Sequence, residues 1–349
     1  MSQNWLRHFE LRLFDKEGGG ISLSDFKVVF DIQKMPNTSF ASSVGNFKIY
    51  NLSTYTVNSI MGQEYTRVEV IAGYDGVPQK ENATEEEAEV IANNASYGVI
   101  FSGDIRFTVT GKDNPTDTWI MLQCIEGWEG HLSAATITTL AAGWTYKDLF
   151  ATTMKTYEPY GITAGATPNM PDTVFPRGRP IFQNSPAVIN HIAGQCNADW
   201  WYENGQIVMR PENKYLEDEL VELSANTGLI GMPQQTIGAG VNVRCLINPN
   251  IRLGGLVRIN QKSVYRTVLS NEEIGSAPGA IGTTENNGNI STTGTLSQPA
   301  SINTDGDYIV GSIDFHGDTR GQPWYMDLMC IAKGSADLMS SAAMSKTAI

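Results

Sequence analysis

Runs in which every second residue is apolar dominate the first 130 positions. Phe9, Leu11 and Leu13 alternate with polar neighbours, and the turn Gly18-Gly19-Gly20 follows. A period of two places one set of side chains on one face of a sheet. The pattern recurs at 26–32, 45–50, 67–74, 99–105 and 118–125, and Asn51-Leu52-Ser53 leads into a short helix that reaches Ile60. Six or more strands joined by polar turns predict a closed or nearly closed antiparallel barrel. One stretch, 80–95, breaks the rhythm with Glu81, Glu85, Glu86, Glu87 and Glu89. It reads as an inserted solvated loop or short helix, or as an acidic lip that meets a partner.

From 131 to 225 the period changes. Trp144 to Phe150 opens an amphipathic helix with Thr145 as its N-cap, and 161–180 is rich in Gly and Pro. A second helix starts with Ser185 as cap and Pro186 in its first turn. Residues 199–209 read as a hairpin turning at Asn204-Gly205. This segment is expected to be a small α/β domain. From 226 to 335 strands return at 241–247, 255–259, 308–318 and 324–332, predicting a second barrel-like unit. A long polar tract at 270–305 interrupts it, and 336–349 reads as a loose tail. The expected fold class is therefore mainly β (α+β), with two barrels flanking a small α/β domain.

Composition narrows the function classes. The 349-residue chain is 41% hydrophobic, enough for real cores, and has no apolar run of membrane-spanning length. The N-terminus lacks the apolar stretch of a signal peptide, so folding in a cytoplasm is expected. With 24 basic and 37 acidic residues the net charge is −13, which argues against holding DNA through its phosphates. An acidic wall would instead let DNA slide past. Cys124, Cys196, Cys245 and Cys330 lie far apart, without zinc spacing, and three of them sit in apolar strand runs. Buried free thiols are expected.

The residue patterns of catalysis are missing. His8, His131, His191 and His316 are isolated, and His316-Gly317-Asp318 does not define a triad. No GxSxG, HExxH, P-loop or strand-linked GxGxxG occurs. Glu126 and Glu129 flank Trp128, but spacing alone does not make a glycosidase pair. Asp305, Asp307 and Asp314 lack the calcium-loop pattern. No catalytic, cofactor-binding or metal-binding residue is assigned, and no enzymatic activity is expected. Trp200-Trp201 places neighbouring indoles on opposite strand faces, either both for cores or one for a partner.

An ordered series of turn motifs adds a family reading. It comprises Lys48-Ile49-Tyr50-Asn51-Leu52-Ser53, Val70 to Gly76, Ile100 to Ile105, Asp199 to Gly205, Gly231 to Thr236, Leu246 to Pro249 and Gly254 to Val257. In this order the series resembles the baseplate hub proteins of contractile-tailed bacteriophages, and is related in plan to the hub part of type VI secretion spike proteins. Gly73, Gly103, Asn204, Gly205, Pro233 and Pro249 shape its turns. The resemblance implies two tail-tube-like barrels per chain and a homotrimer that joins a sixfold tail tube to a threefold central spike. It implies as partners the spike protein, the tube or tube-initiator protein, the tape measure protein and the baseplate wedge proteins. DNA would pass through the lumen without specific binding, and no stable membrane insertion is expected. The location would be the virion tail baseplate. The alternative is a baseplate-associated carbohydrate-binding or cell-wall-degrading module.

Overall fold

The computed structural model describes residues 6–36, 43–76, 96–212, 214–216, 220–235, 240–259, 281–286, 289–294 and 306–332. The glutamate-rich stretch 80–95, Asp305 and the tail fall outside these residues. So does most of the tract 270–305.

The N-terminal alternation becomes seven strands: β1 (Arg7–Phe14), β2 (Gly20–Leu23), β3 (Val28–Lys34), β4 (Ser43–Tyr50), β5 (Arg67–Tyr74), β6 (Ser96–Lys112) and β7 (Thr118–Ile125). Helix α1 (Thr54–Met61) sits between β4 and β5, and Ser53 caps it by accepting the Thr56 N–H. At the first hairpin the Asp15 carboxylate accepts the N–H groups of Glu17 and Gly19, at 2.8 and 2.9 Å. On β4 every second residue is buried, including Phe47 and Ile49, while Asn46 and Lys48 face outward. The C-terminal strands are β13 (Val221–Leu223), β14 (Leu229–Gln235), β15 (Gly240–Cys245), β16 (Leu256–Ile259), β19 (Asp307–Asp318) and β20 (Trp324–Ala332). Between β16 and β19 lies a separate hairpin, β17 (Ile281–Asn286) with β18 (Asn289–Gly294).

The two strand-rich halves do not form two separate barrels. Thirteen strands make one continuous sheet in the order β14-β15-β20-β19-β3-β4-β7-β6-β5-β1-β2, with β16 on β19 and β13 parallel to β16. The splice is β19. Its first residues pair with β16, whereas Ile313 to Asp318 pair with β3. A twisted sheet of this width curls, because strand twist accumulates. The curl brings Phe9 of β1 back onto Phe30 of β3 and Trp324 of β20, with ring centroids 5.4 and 6.2 Å apart. There the Arg7 guanidinium donates to the carbonyls of Asp318, Gly321 and Gln322. Among the described residues no ladder closes the curl, so of the closed or nearly closed barrel expected, the closed form is not found.

Gly73 marks a tight approach of β5 to β6. Its φ is +148°, and a Cβ there would stand 2.1 Å from the Ser96 carbonyl oxygen. Gly73→Ala is expected to cost at least about 2 kcal/mol, read as a lower urea midpoint, because strain and overlap add.

The segment between the halves carries α2 (Trp128–Ser133), β8 (Ala135–Leu140), α3 (Tyr146–Lys155), β9 (Thr163–Ala164), β10 (Arg179–Asn184), α4 (Ser185–Gln195), β11 (Ala198–Glu203) and β12 (Gln206–Pro211). Strands β8 and β10 pair antiparallel, and β9 lies parallel to β12. Thr145 caps α3 as expected, in a reciprocal pair with Asp148. The cap of α4 is Asn184 rather than Ser185. Ser185 is already helical, and its buried hydroxyl bonds those of Thr136 (2.9 Å) and Thr156 (2.7 Å). Buried hydroxyls need such partners, so this serine works inside the fold.

Candidate functional site

Hairpin β11–β12 is a wall shared by two hydrophobic cores. Trp201 and its cross-strand partner Val208 join the large-sheet core with Leu11, Phe30 and Phe47. On the other face Tyr202, Ile207 and Met209 join a second core built from α3, α4 and their neighbours, and Trp200 packs against it. Alternation across one strand thus assigns each indole to a core. Trp200 also faces Asn190, with its ring N–H 3.4 Å from the side-chain oxygen. Neither indole of the pair forms an open binding platform.

A buried polar junction pins this hairpin to the sheet. Lys34 at the end of β3 lies 3.2 Å from Glu126, which follows β7, and both are almost fully buried. Glu126 also accepts the N–H groups of Ser102 on β6 and Asn204 in the hairpin turn, each at 3.3 Å. Burial pushes the Glu126 carboxyl up, while Lys34 opposes that shift and Glu203 reinforces it. Asn204 and Gly205 adopt positive φ (49° and 78°), the conformation the Asn-Gly pair predicts. One residue before the turn, Glu203 accepts from Nη2 and Nε of Arg252, at 3.0 and 3.3 Å, and from the Trp201 ring N–H. Asp199 and Arg210, paired across the same hairpin, form a second buried ion pair at 3.4 Å. These carboxylates are held by cations in the interior and are not poised for a substrate.

The outer face of the sheet has a different character. Its cross-strand rows are polar: Tyr325, His316, Asp31, Asn46 and Gln123 stand in register across β20, β19, β3, β4 and β7. His316 meets Asp31 at 2.7 Å rather than Asp318. Arg244 holds Asp327 through two bonds, at 2.7 and 2.8 Å, and lies over the Tyr325 ring. Farther along, Asp113 accepts from Lys48, Tyr50 and the Trp119 ring N–H. The Lys48 ammonium lies 4.6 Å from the centre of the Trp119 ring, and Gly111 packs close against the same ring.

The remaining sequence candidates disperse. Glu129 lies in α2, where its N–H donates to Asp104, while the Glu126 carboxylate points into the junction. Asp307 is held by Arg258 at 2.7 Å, and Asp314 lies on the outer face of β19. Pro249 packs near Gly98, and Gly103 packs near Phe101 and the Ile125 backbone. Pro233 lies in an irregular part of β14. All four cysteines are free, and Cys124, Cys245 and Cys330 are buried. Among the described residues no cluster of metal-ligating side chains occurs, and no helix is long and apolar enough to cross a membrane. What the sequence reading missed is the junction. Its only local signal was a glutamate at the end of an apolar strand.

His131 in α2 gives a pH readout of this region. Burial holds its imidazole below the ordinary histidine range. As pH falls below about 6.5 the unfolded chain takes up its proton first, so stability falls through that window. His131→Gln is expected to flatten the dependence of Tm on pH between about 6.5 and 5.

The family model described as Baseplate hub gp41 matches residues 32–264, about two thirds of the chain. No curated protein sequence matches. Among solved structures the tail protein of Neisseria meningitidis MC58 is similar over 96% of this chain and 99% of its own, with 11% identity and a TM-score of 0.50. The 43 kDa tail protein of prophage MuSo2 from Shewanella oneidensis covers 94% and 99%, with 10% identity and a TM-score of 0.47. The E. coli c3393 protein, a type VI secretion component, covers 89% and 74%, with 6% identity and a TM-score of 0.45. A family match that runs from β3 through the middle segment and past β16 settles the assignment: this chain belongs to the Baseplate hub gp41 family of bacteriophage tail structural proteins.

Proposed function

We propose that three copies of this chain form the central ring of the baseplate and join a sixfold tail tube to a threefold spike. The observation that carries the reading is the β19 splice. It gives each chain two sheet halves side by side, with one polar outer face running across both. Three copies supply six halves, matching a tube, while the chain itself repeats three times, matching a spike. Such a ring closes through head-to-tail contacts under cyclic symmetry. In this reading 1–130 and 226–335 are the two tube-like units, and 131–225 stands outside the ring wall. The spike, tube or tube-initiator, tape measure and wedge proteins are its neighbours, and assembly takes place in the host cytoplasm. The outer face then lines the channel. With a chain charge of −13, phosphate is repelled and DNA slides without specific binding.

Asp31 tests the channel. Its side chain is 63% exposed on the outer face, so Asp31→Lys leaves the core intact. Tails carrying the variant are expected to assemble in normal number but to release DNA roughly severalfold more slowly, because a ring of lysines holds phosphate. Release at the wild-type rate from fully assembled variant tails would remove the outer face from the channel.

A further inference from the structure

Among the described residues the outer face carries a concavity to which the ring reading gives no role. Strand β14 loses register with β15 between Ile230 and Gln234, and the intervening residues arch away from the sheet. Gly231, at φ +71°, permits the arch, and Met232 at its crest is 65% exposed. The arch walls a cavity of about 570 Å³ whose floor is formed by β15, β20 and β19. Ile230, Met232 and Met329 provide apolar surface, and Arg244, Asp314 and Asp327 provide charge.

The charges do not balance. Arg244 and Asp327 neutralise each other through their two-bond pair. Asp314 stands opposite Asp327 in the β19–β20 register and makes no ion pair among the described residues. Burial raises its carboxyl and Asp327 adds to that, while His316 and a hydrogen bond from the Gln33 side chain counter it. The cavity therefore holds a carboxylate that the neutral Gln33 amide hydrogen-bonds and that makes no ion pair among the described residues, beside flexible thioethers. Its size is in the range of ligand sites, which admits a short stretch of side chains. A long aliphatic stem ending in a cation satisfies both features, with the stem on methionine and the charge on the carboxylate.

We propose that this cavity receives an arginine or lysine side chain carried on an extended segment of a partner protein. Asp314 is the counter-ion, and Met232 and Met329 clasp the stem. The inference goes beyond the ring reading and does not require it, since the isolated chain suffices for the test.

The probes are a fluorescein-labelled Gly-Val-Arg-Val-Gly peptide and its citrulline counterpart, which keeps the shape of arginine without the charge. Polarisation is measured with the full-length chain. The arginine peptide is expected to saturate below about 1 mM, and the citrulline peptide to bind roughly 10-fold more weakly. Asp314→Asn is expected to bring the arginine peptide down to the citrulline level. Met232→Lys, an exposed change that places a cation in the cavity mouth, is expected to do the same, with circular dichroism unchanged in both. Equal binding of the two peptides, retained binding in both variants, or no saturation would overturn the proposal. So would self-association in sedimentation velocity that Asp314→Asn abolishes, because the occupant would then be a second copy of the chain.

Discussion

Lys34→Met is expected to lower the folding stability by about 3–5 kcal/mol, seen as a large drop in denaturant midpoint with little change in m. The reason is the carboxylate left behind. Glu126 is fully buried and loses the one cation that pairs with it among the described residues, while still accepting two backbone N–H groups. Desolvating a charge without a counter-ion costs more than the pair itself contributes. Adding Glu126→Leu to Lys34→Met tests this. Removing the stranded charge is expected to restore part of the loss. Full recovery is not expected, because the Ser102 and Asn204 N–H groups would then be unsatisfied, at about 1–3 kcal/mol each. If Lys34→Met cost no more than an ordinary surface substitution, the junction would not pin the hairpin to the sheet.

Trp201→Ala is expected to have an effect of similar size, about 3–5 kcal/mol, through a different mechanism. Trp201 is among the largest fully buried side chains and sits where β11 meets the large-sheet core. Its removal leaves a cavity against Val208 and deletes a hydrogen bond to Glu203. Trp200→Ala, one residue away, removes a half-buried ring at the margin of the second core. Its cost should be about 1–2 kcal/mol. Urea unfolding followed by tryptophan fluorescence ranks the two. A reversed order would contradict the assignment of opposite faces of β11 to different cores.

Local features of this fold were legible because local physics decides them. Period-two alternation located the seven N-terminal strands except for the short β2. Asn204-Gly205 announced a hairpin, and Ser53 and Thr145 announced helix starts. The helix start lies one residue before the expected Ser185 cap because Asn184 takes the extended backbone of the cap position, without a side-chain capping bond, and the Ser185 hydroxyl is engaged by buried hydroxyl partners. Long-range pairing was not legible. The β3–β19 ladder joins residues such as Asp31 and His316, 285 positions apart, and no alternation pattern encodes which strand lies beside which. That single ladder converts two expected barrels into one sheet. The Lys34–Glu126 junction was hidden for the same reason. Each residue reads as an ordinary polar end of a strand, and its burial depends on a hairpin more than seventy residues farther along the chain. The absence of catalytic motifs left no chemical site to anchor function. The family reading came from the order of the turns, several of which the structure places at strand ends and tight approaches.

The most direct test of the hub account is cryo-electron microscopy of tails containing this chain, reading its copy number, position and orientation. The account predicts three copies on the tail axis between tube and spike, with Asp31 and His316 facing the channel. A peripheral location in six or more copies, or an axial ring with this sheet face turned outward, would contradict it.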